Sequence, residues 1–362
     1  METNPQQLTR DYDIIIIGGG QAGLSVGYGL AKSGKSFLIV DANMRIGDAW
    51  RSRWDSLKLF TPTYLNSLEG MSFPGNQHRF ITKDEMADYL EQYANAFKLP
   101  IQTNTKVERL YKNGKNFTLV AGNETFSAKV VVVAMSNYQK PKIPGLAKDI
   151  DPGIVQLHSA EYKNPGQLQD GKVLIVGAGN SGADIALELA NSHDTLVSGK
   201  DVGHVPFRIE SVIARYLLIR IVRFVGHYVL TNNTAAGRKL KPKALTSGGP
   251  LVRIKPNDLV AAGVTRVPKV VGVQNGLPLL EDSRVLEVKN IIWATGFTPG
   301  FSWIELPVLG EREEPDHVRG VVYKQPGLYF VGLNFLYAMT SDTITGMQRD
   351  ARYIVKQILH SP

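Results

Sequence analysis

The chain contains no cysteine. That excludes a disulfide framework, a thiolate-held zinc or iron–sulfur centre, and any redox relay through a protein thiol. It also lacks a run of eighteen apolar residues free of charge, so nothing reads as a bilayer-spanning helix. The N-terminal stretch Met1 to Asp13 is polar, without a signal-peptide hydrophobic region, which gives a cytoplasmic reading. Acidic residues are almost missing from one segment. Between Val205 and Lys255 ten Lys and Arg stand against the single acid Glu210. That segment carries +9 against +8 for the whole 362-residue chain, so the remainder sums to −1. Basicity confined to one insert does not describe a nucleic-acid binder; it marks a local surface.

Glycine is in excess, 35 residues in all, and much of it sits in two motifs. The run Ile14-Ile15-Ile16-Ile17 reads as a buried strand, Gly18-Gly19-Gly20 as a turn, and Gln21 to Lys32 as a helix. A second strand, Phe37 to Val40, ends on Asp41. Further along, Lys83 to Phe97 has helical periodicity, and 107–111, 116–120 and 130–134 read as strands. The opening pattern then restarts, with a strand at 173–177, a glycine turn from Gly177 to Gly182, a helix at 183–191 and a strand at 195–198. Two such units predict an α/β fold with two Rossmann-like dinucleotide-binding domains. Strands at 285–296 and 328–332 and a helix over 341–359 leave too short a C-terminal piece for a domain. The second domain is therefore expected to be inserted in the first. Residues 1–150 and 290–362 would form the first, and 151–289 the second, with the basic insert at 205–255.

The glycine spacing points to phosphate chemistry. In Gly18-x-Gly20-x-x-Gly23 the glycines permit a tight turn, close backbone approach to a pyrophosphate, and close packing of helix on strand. The helix start at Gln21 and Ala22 then offers N–H groups and a positive dipole end to the phosphates. Gly177-x-Gly179-x-x-Gly182, followed by Asn180 and Ser181 at the helix start, repeats the arrangement. At matching positions beyond the two first glycines stand Asp41 and Lys200. An acid there accepts from a free ribose 2′-OH, whereas a cation suits a 2′-phosphate. The first turn thus reads as an FAD site. The second, with Ser198 and Lys200 at its strand end, reads as a nicotinamide site favouring NADPH, with NADH as the alternative. For Asp41 and Lys200 the ordinary reading as solvated loop charges stays open.

With these residues in view the sequence resembles the class B flavin-dependent monooxygenases, in particular the short bacterial flavin-containing type. The likeness covers almost the whole chain. It rests on both glycine turns, Gly47-Asp48-Ala49-Trp50, Leu57 to Thr61, the stretch around His158, and Ala294-Thr295-Gly296-Phe297. It implies FAD, NADPH and O2 as reactants, with oxygen transferred to a small apolar substrate at S, N or a ketone carbon through a C4a-(hydro)peroxyflavin. It further implies that Ala49, Trp50 and Thr61 lie along the flavin, that Val107 meets the adenine through its backbone, and that Ala134 and Ser341 contact FAD. No side chain is implied as a general acid or base, and no metal. The chain departs from the family pattern at Thr61-Pro62, where animal relatives carry Thr-Asn, and at Gly153, which lies five rather than four residues before His158. Two rivals remain open: an NAD(P)H oxidase or reductase releasing H2O2 or reducing quinone-like acceptors, and a flavin-bound redox or transport accessory protein. For His158 a structural linker role stands beside a catalytic one.

The insert is amphipathic. On a helix turning about 100° per residue, Arg215, Arg220, Arg223 and His227 fall within about 140°, with Leu217, Ile221, Phe224 and Val225 largely opposite. Residues 212–230 therefore read as a membrane-surface helix, a cover over an apolar substrate channel, or a homodimer contact.

Overall fold

The computed structural model describes residues 9–310 and 313–360, so the first eight residues of the polar N-terminal stretch lie outside it. Thr9–Ile17 is the central strand of the first sheet. It pairs in parallel with Leu38–Val40 on one side and with Glu124–Val133 on the other. Ile14 to Ile17 are all buried: Ile14 and Ile16 lie under Gln21–Lys32, Lys83–Ala96 and Ile344–His360, while Ile15 and Ile17 pack on the other face against Leu110, Phe117, Phe301 and Ile304, so no solvated side is left to alternate towards. Ile101–Gln102 extends one edge, and the antiparallel meander Arg109–Asn113 and Asn116–Ala121 pairs with the first half of Glu124–Val133. The second half of that strand takes Leu328–Phe330 in parallel, which returns the C-terminal segment to the first sheet. The closing helix Ile344–His360 then packs on Gln21–Lys32, where Val355 lies against Gly29.

The second sheet is entirely parallel, in the order Val155–His158, Asn290–Trp293, Val173–Val176, Thr195–Ser198, Thr265–Val267. Asn290–Trp293 was expected to open the C-terminal part of the first domain. It is instead an inner strand of the second sheet, and the chain crosses back only after it. The two crossings are zipped together: Lys140–Pro141 pairs antiparallel with Phe297–Thr298, and the Lys142 N–H donates to the Gly296 carbonyl at 2.9 Å.

The basic insert has a neck and a tip. Its neck stays with the second sheet, where Asn180 bonds Pro250 and Val252 and Arg253 pairs with Asp184 at 2.7 Å. The tip is a continuous helical rod, Ala214–Leu218, Ile219–Phe224 and Val225–Val229, with wider i→i+5 turns at both ends, followed by Ala235–Thr246. This rod lies on the first unit. Arg215 stacks over Phe80 and Arg220 over Tyr64, at 5.5 and 5.4 Å. His227 Nδ1 meets Thr340 Oγ1 at 3.1 Å, while Arg349 donates to the His227 carbonyl at 2.6 Å. The side carrying Arg215, Arg223 and His227 therefore faces protein, with Arg220 stacked on Tyr64 at its exposed edge, and the apolar side faces solvent.

Candidate functional site

Each glycine motif divides its labour in the same way. Gly18 has φ +108°, and a Cβ there would stand 2.9 Å from the Ala134 carbonyl oxygen. Gly177 has φ +120°, with the Ala294 carbonyl oxygen 2.1 Å from the same point. The third glycines pack helix on strand: a Cβ on Gly23 or Gly182 would lie 1.9 Å from the carbonyl oxygen of Gly18 or Gly177. The middle glycines face open space, with nothing within 4 Å of a Cβ on Gly20 or Gly179. Each middle glycine is also the N-cap of its helix without a side-chain cap, so the first-turn N–H groups have no partner from such a cap. Tight packing on two sides and an open cradle on the third is the shape a pyrophosphate requires. Ala134 and Ala294 end equivalent strands against the first glycines, so the two turns match as backbone constructions.

Beyond the turns the sites diverge. Asp41 is buried and its Oδ2 accepts from the Gly19 N–H at 2.5 Å, while Oδ1 accepts from the Asn43 backbone and side chain at 2.8 Å each. Its backbone carbonyl receives the Thr105 N–H at 2.8 Å, which brings the segment leading to Val107 alongside. A carboxylate with about four acceptor sites and three donors retains one for a ribose hydroxyl. Gln21 accepts from the Trp50 indole at 3.2 Å, tying the Gly47-Asp48-Ala49-Trp50 turn to the helix start; Ala49 is exposed and Ala22 buried.

The second turn opens into a cavity of about 1060 Å³ whose wall includes Gly177, Ser198, Gly199, Lys200, Arg266 and Lys269. Three cations thus surround the place where the sequence pointed only to Lys200. Arg266 donates to the Gly199 carbonyl at 3.0 Å, which holds its guanidinium beside the loop. Arg266 was missed because the polar edge strand Thr265–Val267 carries no alternating apolar signal.

Three of the expected contact residues turn their hydroxyls onto the protein itself. The Ser198 hydroxyl turns inward, donating to the Pro268 carbonyl and accepting from the Val270 N–H at 2.8 and 3.0 Å. The Ser341 hydroxyl accepts from the N–H groups of Tyr337 and Ala338 at 3.0 Å each, so it shapes the turn before Ile344–His360. Thr61 donates to Asn66 at 2.6 Å, and the fully buried Asn66 returns a bond to the Thr61 carbonyl. Ser181 is half-buried at its helix start.

Where the crossings meet, groups from both units converge on Phe297. His158 and Tyr138 lie edge-on to its ring at 5.0 and 5.8 Å, and the Arg53 guanidinium sits 5.9 Å from its centroid. Among the described residues Arg53 makes no ion pair, and desolvation lowers its pKa. Burial and the charge of Asp342 push the Tyr138 phenol up to about 12, and the surrounding protein pushes the Asp342 carboxyl up to about 6. His158 is fully buried; its Nδ1 accepts from the Ala160 N–H at 3.1 Å, so Nε2 carries the proton and bonds the Gly296 carbonyl at 3.0 Å. Desolvation lowers its pKa and keeps the ring neutral. Nε2 thus braces the second crossing and Nδ1 the local turn at Ala160, so both ring nitrogens are engaged within the protein.

The family model described as pyridine nucleotide-disulphide oxidoreductase matches residues 15–204, which span the first turn, the first crossing and the second turn. The chain belongs to this family. An uncharacterized CzcO-like oxidoreductase of Geobacillus kaustophilus is 39% identical over 350 residues, covering 96% of this chain and 98% of that protein. A probable indole-3-pyruvate monooxygenase of Arabidopsis thaliana, YUCCA3, is 27% identical across 80% of this chain and 74% of its own length. Among solved structures, a flavin-containing monooxygenase from Stenotrophomonas maltophilia superposes with a TM-score of 0.77 at 28% identity, covering 97% and 99% of the two chains. Within the pyridine nucleotide-disulphide oxidoreductases, this chain has no thiol to relay electrons to a disulfide. It is an oxidoreductase of the flavin monooxygenase kind. Among the described residues no helix is long and apolar enough to cross a membrane, and no cluster of metal-ligating side chains occurs.

Proposed function

We propose that this oxidoreductase binds FAD at the first turn and NADPH at the second, and inserts one oxygen atom of O2 into a small apolar substrate at S, N or a ketone carbon. The observation that carries the reading is the pair of matched cradles, open only at Gly20 and Gly179 and distinguished by Asp41 on one side and Lys200, Arg266 and Lys269 on the other. When bound, FAD supplies hydride acceptance and O2 activation, which side chains cannot provide. The chain's own residues do the rest. Asp41 orients a ribose, the uncapped helix starts hold the pyrophosphates, and the cations around Ser198 hold a 2′-phosphate. Arg53, Tyr138 and Asp342 line the junction of the two units and set its charge. Residues up to Pro141 and from Phe297 onward would hold the flavin, and those between would hold the nicotinamide nucleotide.

The test is anaerobic titration of the purified protein with NADPH and with NADH, followed by mixing with O2. Bleaching of a flavin absorbance by NADPH at concentrations about tenfold or more below those of NADH is the expected result. Absence of a flavin, or of reduction by either nucleotide, would refute the reading. A second reading is favoured by Thr61-Pro62, where the Thr61 hydroxyl is committed to Asn66. If every oxidation releases H2O2 in equal amount whatever thioether, amine or ketone is added, the protein is an oxidase.

A further inference from the structure

We propose that the outer face of the 212–229 rod docks on an anionic membrane surface. Val212, Ile213, Leu217, Phe224 and Tyr228 are 73, 66, 53, 58 and 59% exposed, and Ile221 between them is exposed as well. From Ile213 onward these positions run the length of the rod in steps of four, four, three and four, through Leu217, Ile221, Phe224 and Tyr228, and Val212 adds an exposed apolar residue at its start. They form one continuous apolar stripe, of a kind that folded surfaces seldom leave open to water. The orientation is the decisive feature. A helix serving only as a surface element turns its charged side to solvent; here Arg215, Arg220 and His227 are turned onto Phe80, Tyr64 and Thr340. The rod is anchored by its polar side with its apolar side left over. No helix can span a bilayer among the described residues, so the stripe fits a helix lying in the interface, with Phe224 and Tyr228 at headgroup depth.

Charge selects the occupant. The segment from Val205 to Lys255 carries +9, and the next helix, Ala235–Thr246, exposes Arg238, Lys239 and Lys243. That helix adjoins the end of the rod, where its N-cap Thr234 donates to the Val229 carbonyl at 2.6 Å. A second copy of this chain, meeting the stripe symmetrically, would bring the exposed Arg238, Lys239 and Lys243 of both copies to one interface. A bilayer with anionic headgroups offers both an apolar sink for the stripe and counter-charge for its rim.

The experiment is flotation of the full chain with vesicles of phosphatidylcholine alone and of phosphatidylcholine containing phosphatidylglycerol, with light scattering on the free protein. The expected result is binding to the anionic vesicles, weakened by salt, and little to the neutral ones. Leu217→Glu with Phe224→Glu should lower the partition coefficient about tenfold per side chain. Lys239→Gln with Lys243→Gln, at two exposed positions, should lower it about fivefold per lysine. Circular dichroism and the thermal midpoint check that the variants fold. Wild-type protein that stays with neither vesicle, or apolar variants that bind as well as wild type, would overturn the proposal. Equal binding to neutral vesicles would overturn the anionic assignment. A dimer that Leu217→Glu with Phe224→Glu converts to monomer would assign the face to a second copy.

Discussion

Gly179 and Gly182 stand three residues apart in the same turn, yet the structure gives them opposite duties, and alanine separates the two. At Gly179 the backbone is extended, φ −81° and ψ −173°, and a Cβ meets nothing within 4 Å. Gly179→Ala should therefore leave stability within about 0.5 kcal/mol. The added methyl instead occupies the phosphate's line of approach. Losing one charge-assisted N–H bond there costs about 1.5–3 kcal/mol, or about 10- to 100-fold in NADPH affinity. At Gly182 a Cβ would lie 1.9 Å from the Gly177 carbonyl oxygen and 3.3 Å from the Ala294 Cβ. Ordinary carbon–oxygen contact begins near about 3.3 Å, so helix and strand must part by more than about 1 Å. Overpacking of that kind costs about 1–3 kcal/mol, which lowers the thermal midpoint by about 2–10 °C. The assay pairs thermal unfolding with NADPH titration on both variants. A Gly179→Ala protein that binds NADPH with wild-type affinity would show that this turn does not hold a pyrophosphate. A Gly182→Ala protein as stable as wild type would refute the packing argument.

Arg266→Ala and Lys200→Ala should each weaken NADPH about tenfold and NADH less than about twofold, as read by reduction titrations; equal losses would mean that neither reads a 2′-phosphate. Asp41→Asn leaves the Gly19 N–H with a weaker acceptor and removes a charged partner for a ribose. Flavin retained after dialysis should fall with it, by about tenfold or more in affinity, and wild-type flavin content would contradict the assignment. His227, buried beside Arg349 and Arg223, has its pKa pushed down to about 4 by desolvation and those cations. The undocked histidine binds protons more readily, so docking of the rod is fully supported above about pH 6.5 and weakens as pH falls towards 4, by on the order of 3 kcal/mol. Limited proteolysis should cut the insert faster at pH 5 than at pH 7.5, and a neutral His227→Gln should remove most of that difference.

Much of the fold was legible because buried parallel strands announce themselves. Ile14 to Ile17 and Val173 to Val176 are unbroken apolar runs entering glycine turns, and Thr195–Ser198 lies where it was expected. The edge strand Thr265–Val267 was not legible, since two of its three residues are exposed, and Arg266 was lost with it. Asn290–Trp293 was recognised as a strand but assigned to the wrong unit. Its apolar pattern is the same in either sheet, and only pairing with Val155–His158 and Val173–Val176 decides. Side-chain aim was the least readable property. Ser198 and Ser341 were expected beside the cofactors, but the sequence does not tell where their hydroxyls point, and nearby backbone groups claim both. The wheel for 212–230 correctly put the cations on one side, yet periodicity does not say which side meets protein. Phe80, Tyr64 and Thr340 decide that, and they lie far away in sequence.

The insert makes connectivity and mechanics disagree. Its neck is held by Asn180 and Asp184, while its tip is bonded through Asn232 and Met339 to the 336–340 segment just before the closing helix. The two units are thus joined at the paired crossings at Lys140–Pro141 and Phe297–Thr298, braced by His158, at this strap, and at a side contact where Trp54 sinks into the second core beside Tyr162 and Ile175 and the Asp55 N–H donates to the Lys163 carbonyl at 2.8 Å. Two adjacent crossings define a hinge about which one unit could swing. The strap and the Trp54 contact both lie away from those crossings, so a large rotation must bend the neck near Gly203 and Gly248-Gly249 and withdraw Trp54 from the second core. The relative movement of the two cradles is thus governed by the neck and by the seating of Trp54 as well as by the crossings.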